Sequence, residues 1–291
     1  MNTQIDLEII ILNYNSQFWL KKTLTTLQQY YISKTKYTVR VTVVDNNSTD
    51  QSIEIVRKEF KKVNLLALKS NNGFAAGNNV ALKQSSAKYC MLLNSDVECT
   101  PQSNFDILLD FLESHPTVGV ITPKVIFTNG KLDPACHRGE PTPLASLWYF
   151  MGLEKLFPNS LTFGAYHLAY KRLDSIHTID ACSGAAMIVR MEYTKQVGLL
   201  DERFFMYAED LDWCKSFRDA GFLITYHPSV VVIHHKYKSG IKGTSKQIAR
   251  KTRHHFYDTM LQYYDKHYAT QYPGIVRWLL QYFIIIKKGA V

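Results

Sequence analysis

The sequence predicts an α/β fold: a doubly wound, mostly parallel sheet flanked by helices, with a helical C-terminal tail. Two observations carry this reading. Through the first hundred residues, short near-continuous apolar runs alternate with stretches of helical period, the pattern of strands covered on both faces and joined by crossover helices. Each apolar run also ends in a loop crowded with Asn, Asp, Ser or Gly, where open α/β sheets place their ligands.

The elements follow in order. Residues 7–12 (LEIIIL) form a strand and 17–31 a helix; 39–44 (VRVTVV) form a strand and 50–61 a helix. Residues 63–68 are a third strand, 75–86 a helix, and 89–93 (YCMLL) a fourth strand. Ser48 and Gln51 have the spacing of a capping box for the second helix. Beyond Pro123 the chain becomes loop-rich, with Pro134, Pro141, Pro143 and Pro158. A strand at 185–190, a helix at about 212–220 and a strand at 224–233 follow. The one boundary is expected near Ser239-Gly240, where a basic tail of residues 240–291 begins.

Composition narrows the class. A chain of 291 residues with 46% hydrophobic content can bury a large core. Cys90, Cys99, Cys136, Cys182 and Cys214 are scattered without a Cys-x-x-Cys pair, which argues against a disulfide framework or structural zinc and fits a reducing cytosol. The opening MNTQID has no basic segment followed by an apolar stretch, so no secretory signal is expected. Residues 275–286 fall short of the roughly 20 apolar residues of a membrane span and include Arg277 and Gln281. The net charge of +9 points to anionic partners. Residues 236–257 hold seven Lys/Arg and no acid, and Tyr263, Tyr264, Tyr268, Tyr272, Trp278, Leu279, Leu280, Tyr282 and Phe283 follow. That mixture suits a helix in the interface of an anionic membrane, and equally a solvated basic face followed by a core-packing helix. No nucleic-acid recognition module is present.

The most informative stretch is Asn94-Ser95-Asp96-Val97-Glu98. If it is extended, Asp96 and Glu98 face the same way at the carboxyl end of the sheet, where hard oxygen ligands suit Mg²⁺ or Mn²⁺. In the competing reading Asp96 caps a turn and Thr100-Pro101 opens the next helix. Asp45, at the end of the second strand, can accept the imide N–H of uracil or thymine, or cap its own turn. Asn71, Asn72 and Gly73 follow the third strand and tolerate left-handed backbone. Glu209-Asp210 precedes a helix, where Asp210 reads by itself as a cap or first-turn acid. His234 and His235 end a strand. Small residues at Ser183-Gly184-Ala185 permit close approach of a ligand, with Asp180, His137 and Arg138 nearby.

From Ile9 to about His235 the chain resembles the family-2 glycosyltransferases, inverting enzymes of the GT-A fold. The motifs occur in family order: Asn13-Tyr14-Asn15, Val43-Val44-Asp45-Asn46, Asn72-Gly73-Phe74, the Asp96 stretch, Ser183-Gly184-Ala185, residues 204–210, and His234. Residues 72–79 (NGFAAGNN) and the Arg/His-rich C-terminal helix look most like bacterial rhamnosyltransferase-type enzymes of surface-polysaccharide synthesis. The resemblance implies a nucleotide-sugar half at 1–123 and an acceptor half at 124–239. It implies donor contacts from Asn13, Asn15, Asp45, Asn72, Gly73, Asn78, Ser95 and Asp96, and a Mg²⁺ or Mn²⁺ site at Asp96, Glu98 and His234. Asp210 becomes the catalytic base with Glu209 beside it, and Asp180, Ser183, Gly184 and Arg138 meet the acceptor. The implied donor is dTDP- or UDP-linked, with dTDP-rhamnose preferred, and the acceptor is a lipid-linked saccharide of O-antigen or capsule synthesis. A cytoplasmic enzyme, peripheral on the inner face of the cell membrane through its tail, follows, with a homo-oligomer as one option. The alternatives are a nucleotidyltransferase, which would show a glycine-rich basic loop after the first strand, and a non-enzymatic sugar-binding protein, which would need neither Asp210 nor a metal.

Overall fold

The computed structural model describes residues 4–236 and 246–289. Its first half is built from β1 (Leu7–Asn13), α1 (Gln17–Leu27, continuing as a π turn Gln28–Ile32), β2 (Val39–Asp45), α2 (Ser52–Glu59), β3 (Asn64–Ala67), α3 (Gly73–Gln84) and β4 (Tyr89–Leu93). These match the elements expected from the sequence to within a few residues. The second half adds β5 (Val97–Cys99), α4 (Asp106–Ser114), β6 (Val118–Ile126), α5 (Pro143–Phe150), α6 (Leu153–Leu156), β7 (His177–Ile179), β8 (Ala186–Arg190), α7 (Thr194–Val197), α8 (Glu209–Asp219) and β9 (Leu223–His234), and α9 (Lys246–His267) and α10 (Gly274–Gly289) close the chain.

One sheet runs β3-β2-β1-β4-β8-β6-β9-β5, with β7 paired to β9. β3, β2, β1 and β4 are mutually parallel, whereas β8, β5 and β7 pair antiparallel with their neighbours. β4 and β8 are buried along their whole length because helices and loops cover both faces. The order 3-2-1-4 makes connections leave in opposite directions from β1 and β4, which opens a crevice at their carboxyl ends.

Two expectations about local structure are corrected. The Ser48/Gln51 capping box does not form: α2 starts at Ser52, whose N–H donates to Asp50 Oδ1 at 3.0 Å, and the Ser48 hydroxyl serves the β1 loop instead. Thr100-Pro101 does not open a helix. The Thr100 hydroxyl accepts from Gln102 N at 3.1 Å to make a turn, and α4 begins at Asp106. The division at residue 123 falls inside β6, where the pairing with β9 is irregular between Pro123 and Lys124. A proline without an N–H is tolerated at such a break, and it had masked the strand.

The described part of the tail packs on the rest of the chain. The expected boundary at Ser239-Gly240 lies outside the described residues, as does much of the basic run. Beyond it, Tyr263, Tyr264 and Tyr268 are buried against Phe204, with Val276 and Leu280 of α10 behind them. Lys266 reaches Asp212 at 2.6 Å and Asp201 at 2.8 Å, and His267 meets Asp212 at 2.7 Å. These tyrosines therefore pack inward on α8.

Candidate active site

The loops after β1, β2 and β3 are laced by short polar side chains. Asn13 Nδ2 donates to Asp45 Oδ2 at 3.0 Å and to the Ser48 hydroxyl at 3.2 Å, while Asp45 Oδ1 accepts from Ser48 N at 2.8 Å. Asp45 is fully buried and caps its turn. Asn46 bridges the second and third loops, donating to Asn71 Oδ1 and Gly73 O and accepting from Asn72 N at 3.0 Å. Asn15, at φ 47°, lines an open cleft of about 340 Å³ with Ser16, Gln17, Phe18, Trp19 and Asp50. Gly73, at φ +83°, is required: a Cβ there would sit 2.3 Å from Phe205 O, which already accepts from Phe74 N at 2.7 Å. Through this contact the donor-side loops touch the segment that leads to Asp210.

The Asn94–Val97 turn follows β4, with Val97 N donating to Asn94 O at 3.1 Å. The turn sends Asp96 and Glu98 to different places. Asp96, 3% exposed, lies 3.3 Å from His234 Nε2, and His234 Nδ1 lies 2.9 Å from Asp133 Oδ2. Glu98 instead pairs with Lys22 and with His235, both at 2.7 Å. Register explains the split: Val97 lies opposite His234 across β5 and β9, so Glu98 and His235 point to the other face. Glu98 is thus not brought to Asp96 and His234, which corrects its place in the expected metal set. Burial opposes charge on His234, but Asp133 and Asp96 outweigh it and raise its pKa to about 9. Burial would likewise raise Asp133, yet His234 and Lys236 hold it down at about 2.

Asp96 and His234 fit a divalent cation. A metal-binding imidazole commonly gives its other ring nitrogen to a carboxylate, and Asp133 occupies that position on Nδ1 while Nε2 faces Asp96. Among the described residues no three His, Cys, Asp or Glu side chains are arranged to hold an ion by themselves. A cation here would complete its shell with water and substrate phosphates, as Mg²⁺ usually does.

Asp210 sits in the first turn of α8. Its Oδ2 accepts from Arg138 Nη2 at 2.8 Å and from Gly184 N at 3.4 Å, and Oδ1 accepts from Leu211 N at 2.7 Å. Burial opposes the charge on Arg138, but the Asp210 carboxylate beside it prevails and raises its pKa. Tyr207 and Ala208, at φ 73° and 65°, precede the helix in left-handed backbone, a strained pair of side-chain-bearing residues fixed by the Phe205–Gly73 contact. Glu209 is 6% exposed with Oε2 unpartnered, and burial followed by the charge of Asp210 pushes its pKa up. It is a buried acid that favours its protonated form.

The two clusters flank the ends of two adjacent central strands. β4 pairs with β8 so that Leu93 lies opposite Ala186, and Asn94 N donates to Ala185 O at 3.0 Å. Asp96 and Gly184 therefore flank neighbouring strand ends. Asn13, Asn15, Asp45, Asn72 and Gly73 line the adjoining loops; Ser95 is buried with its carbonyl on the Thr23 hydroxyl. Asn78 is not at the surface of the site, because its side chain donates to Phe74 O within α3. Ser183 Oγ accepts from Ala185 N, shaping the turn, and Asp180 Oδ2 accepts from Glu140 N beside Arg138. His137 turns away to His177, at 2.7 Å, and its burial lowers its pKa to about 4. Sequence reasoning missed Asp133. Its only signal was Asp133-Pro134, in which Asp133 accepts from Ala135 N to cap a short 3₁₀ turn.

Comparison with known proteins gives the family and the fold. Residues 8–190 match the family Glycosyl transferase family 2. The N-acetylglucosaminyl-diphospho-decaprenol L-rhamnosyltransferase of Mycobacterium tuberculosis is 27% identical over 259 residues, spanning 85% of this chain and 81% of that one. A mannosyltransferase from Pyrobaculum calidifontis, solved with GDP-Man and Mn²⁺, superposes with a TM-score of 0.59 over 96% of this chain and 69% of its own, at 16% identity. GalNAc-T7, solved with UDP, GalNAc and Mn²⁺, gives 0.61 over 86% of this chain and 48% of its own, at 13% identity. The fold is that of the GT-A glycosyltransferases, and the chain belongs to glycosyl transferase family 2.

Proposed function

We propose that this protein is an inverting glycosyltransferase that moves a sugar, L-rhamnose as the first choice, from a dTDP- or UDP-linked donor to a hydroxyl of a lipid-linked saccharide in surface-polysaccharide synthesis. One observation carries the reading: Asp210, held by Arg138 at the start of α8, meets Gly184 just before β8, and Asp96 of the buried Asp96–His234 pair follows β4, the strand beside it. Asp210 accepts the proton of the acceptor hydroxyl as that oxygen bonds to the anomeric carbon, on the face opposite the departing nucleoside diphosphate. Arg138 and Gly184 fix the Asp210 carboxylate in place, so positioning contributes more than basicity. Asp96 and His234 would hold Mg²⁺ or Mn²⁺, with Asp133 orienting His234. When bound, such a cation supplies Lewis-acid stabilisation to the diphosphate. The loops tied by Asn46 hold the nucleotide, and the cleft at Asn15 receives the base. The acceptor lies at the inner face of the cell membrane, which the C-terminal helices would approach.

A panel of nucleotide sugars tests this, read by thermal stabilisation and by release of the diphosphate. Asp210→Asn keeps the shape of the carboxylate and removes the base, so kcat falls by about 10²-fold while donor affinity holds. Donor binding without turnover by the unsubstituted protein would favour the sugar-binding alternative. Normal turnover by Asp210→Asn with loss in Glu209→Gln would move the base to Glu209.

A further inference from the structure

The outward face of α10 carries Ile275, Trp278, Leu279, Tyr282, Ile285 and Ile286, each 50–67% exposed. Their spacing makes one apolar stripe. The opposite face is already used, with Val276 and Leu280 behind the buried tyrosines and Phe283 packed on Phe150 of α5 at 4.9 Å. That contact joins α10 to a second exposed apolar element. The α5–α6 hairpin and the loop after it present Leu144, Leu147, Met151, Leu156, Phe157 and Leu161, at 48–72% exposure. An exposed apolar area built from two elements marks an interaction site.

Charge identifies the occupant. Residues 143–163 and 274–289 contain Lys155, Arg277, Lys287 and Lys288, and a single acid, Glu154. Glu154 is buried and paired with His167 at 3.0 Å; from α9, Asp265 pairs with Arg277 at 2.6 Å and Asp258 pairs with Lys288, which leaves Lys155 and Lys287 as the exposed cations of these segments. Apolar side chains beside cations, in helices of which none is long and apolar enough to cross a membrane among the described residues, fit a surface that is apolar below and anionic above. We infer that α10 and the α5–α6 hairpin together form a platform that lies on an anionic lipid bilayer.

The root of the hairpin gives the platform its consequence. Thr142 caps α5 four residues after Arg138, and the chain returns where Gly139 N donates to Tyr166 O at 2.9 Å. The hairpin thus leaves and rejoins the fold beside the Arg138–Asp210 pair. A bilayer seated on it brings a membrane-resident acceptor to Asp210. This extends the lipid-linked-acceptor reading, but the platform itself is argued from exposure and charge.

Vesicle flotation of the full chain tests the inference, using phosphatidylcholine vesicles with and without about one third phosphatidylglycerol. The unsubstituted protein should float with the anionic vesicles and be released by high salt. Leu147→Glu with Met151→Glu on the hairpin, and Trp278→Glu with Leu279→Glu on α10, should each lower partitioning by tenfold or more. Both pairs are exposed, so thermal stability and donor hydrolysis in solution should be unchanged. Loss with the α10 pair alone would remove the hairpin from the surface. Equal flotation of every form, or none of the unsubstituted protein, would overturn the inference. Conversion of a dimer to a monomer by either pair in sedimentation velocity would make a second copy the occupant and also overturn it. Vesicle binding without donor hydrolysis would overturn the enzymatic reading and leave the platform standing.

Discussion

The proposed nucleotide side and the proposed acceptor side of the site are built by different means. On the nucleotide side, parallel strands end in loops whose Asn, Asp and Ser side chains bond to backbone a few residues away or in the next loop, as Asn46 does to Asn72 and Gly73. On the acceptor side the contacts are buried charge pairs between distant segments: Arg138 with Asp210, Asp133 with His234, and Asp212 with Lys266. The first kind of site is written locally in each turn. The second exists only after the sheet has assembled, and removing one partner leaves a buried charge.

The largest break in this comparison is at Asp96, where the two sides meet. Asp96→Ala removes the carboxylate that would hold the cation against the diphosphate, so turnover should fall by about 10³-fold, since such charge stabilisation is worth several kcal/mol. Unchanged turnover of this variant in excess chelator would show that no metal acts there. Asp133→Asn sharpens the contrast, because it touches His234 and not the substrate. Loss of an orienting partner of this kind lowers metal affinity by about 10- to 100-fold. Mn²⁺ titration followed by electron paramagnetic resonance should show that drop in the folded variant, whose thermal midpoint also falls because the buried His234 loses its charge partner. If Asp96→Ala weakens Mn²⁺ binding and Asp133→Asn does not, Asp133 is structural only.

On the nucleotide side, Asn46→Ala should give a smaller and differently distributed effect. Its side chain makes three hydrogen bonds that join the β2 and β3 loops, each worth about 1 kcal/mol net. The variant should lose about 1–3 kcal/mol of stability in urea unfolding and raise KM for the donor more than it lowers kcat. An equal fall in both kcat and kcat/KM would mean that the loops act on the chemistry and not on donor binding.

The strands β1 to β4 and the loops after them were legible in the sequence for the same physical reason. Apolar runs such as YCMLL and IIIL set the strands, and the polar loops after them set the site, because both signals lie within a few residues. Asp96, Asp210 and His234 were legible as motif residues, but their partners were not. Arg138 was expected to meet an acceptor, and its pairing with Asp210 was not foreseen. Asp133 passed unnoticed because its partner is a hundred residues away. Glu98 was misassigned because the rule that alternate residues share a face assumes an extended chain, and the turn before β5 breaks it. β6 was hidden by Pro123, and the exposed α5–α6 hairpin by a loop-like density of prolines. The tail tyrosines read equally as interfacial or core, and only the packing of Phe204 against them decides the matter.

The smallest expected effect concerns Glu209, and it separates burial from charge pairing on the acceptor side. In the folded protein burial, and then Asp210, raise its pKa above the ordinary carboxyl value of 4.5, so the folded state binds a proton that the unfolded state has released. For an acid shifted upward the sign is fixed. The folded state bears no penalty below 4.5, and stability declines as pH rises above that value, until Glu209 ionises in the folded protein as well. Glu209→Gln keeps the size and stays neutral throughout. Its stability relative to the unsubstituted protein should therefore rise with pH across the neutral range, while the two converge near pH 4. The effect is read from urea midpoints at matched slope, because a changed slope would report a change in compactness and not the titration. Parallel pH curves for the two proteins would show that Glu209 is already ionised when buried, with Arg138 serving both acids of the Glu209-Asp210 pair.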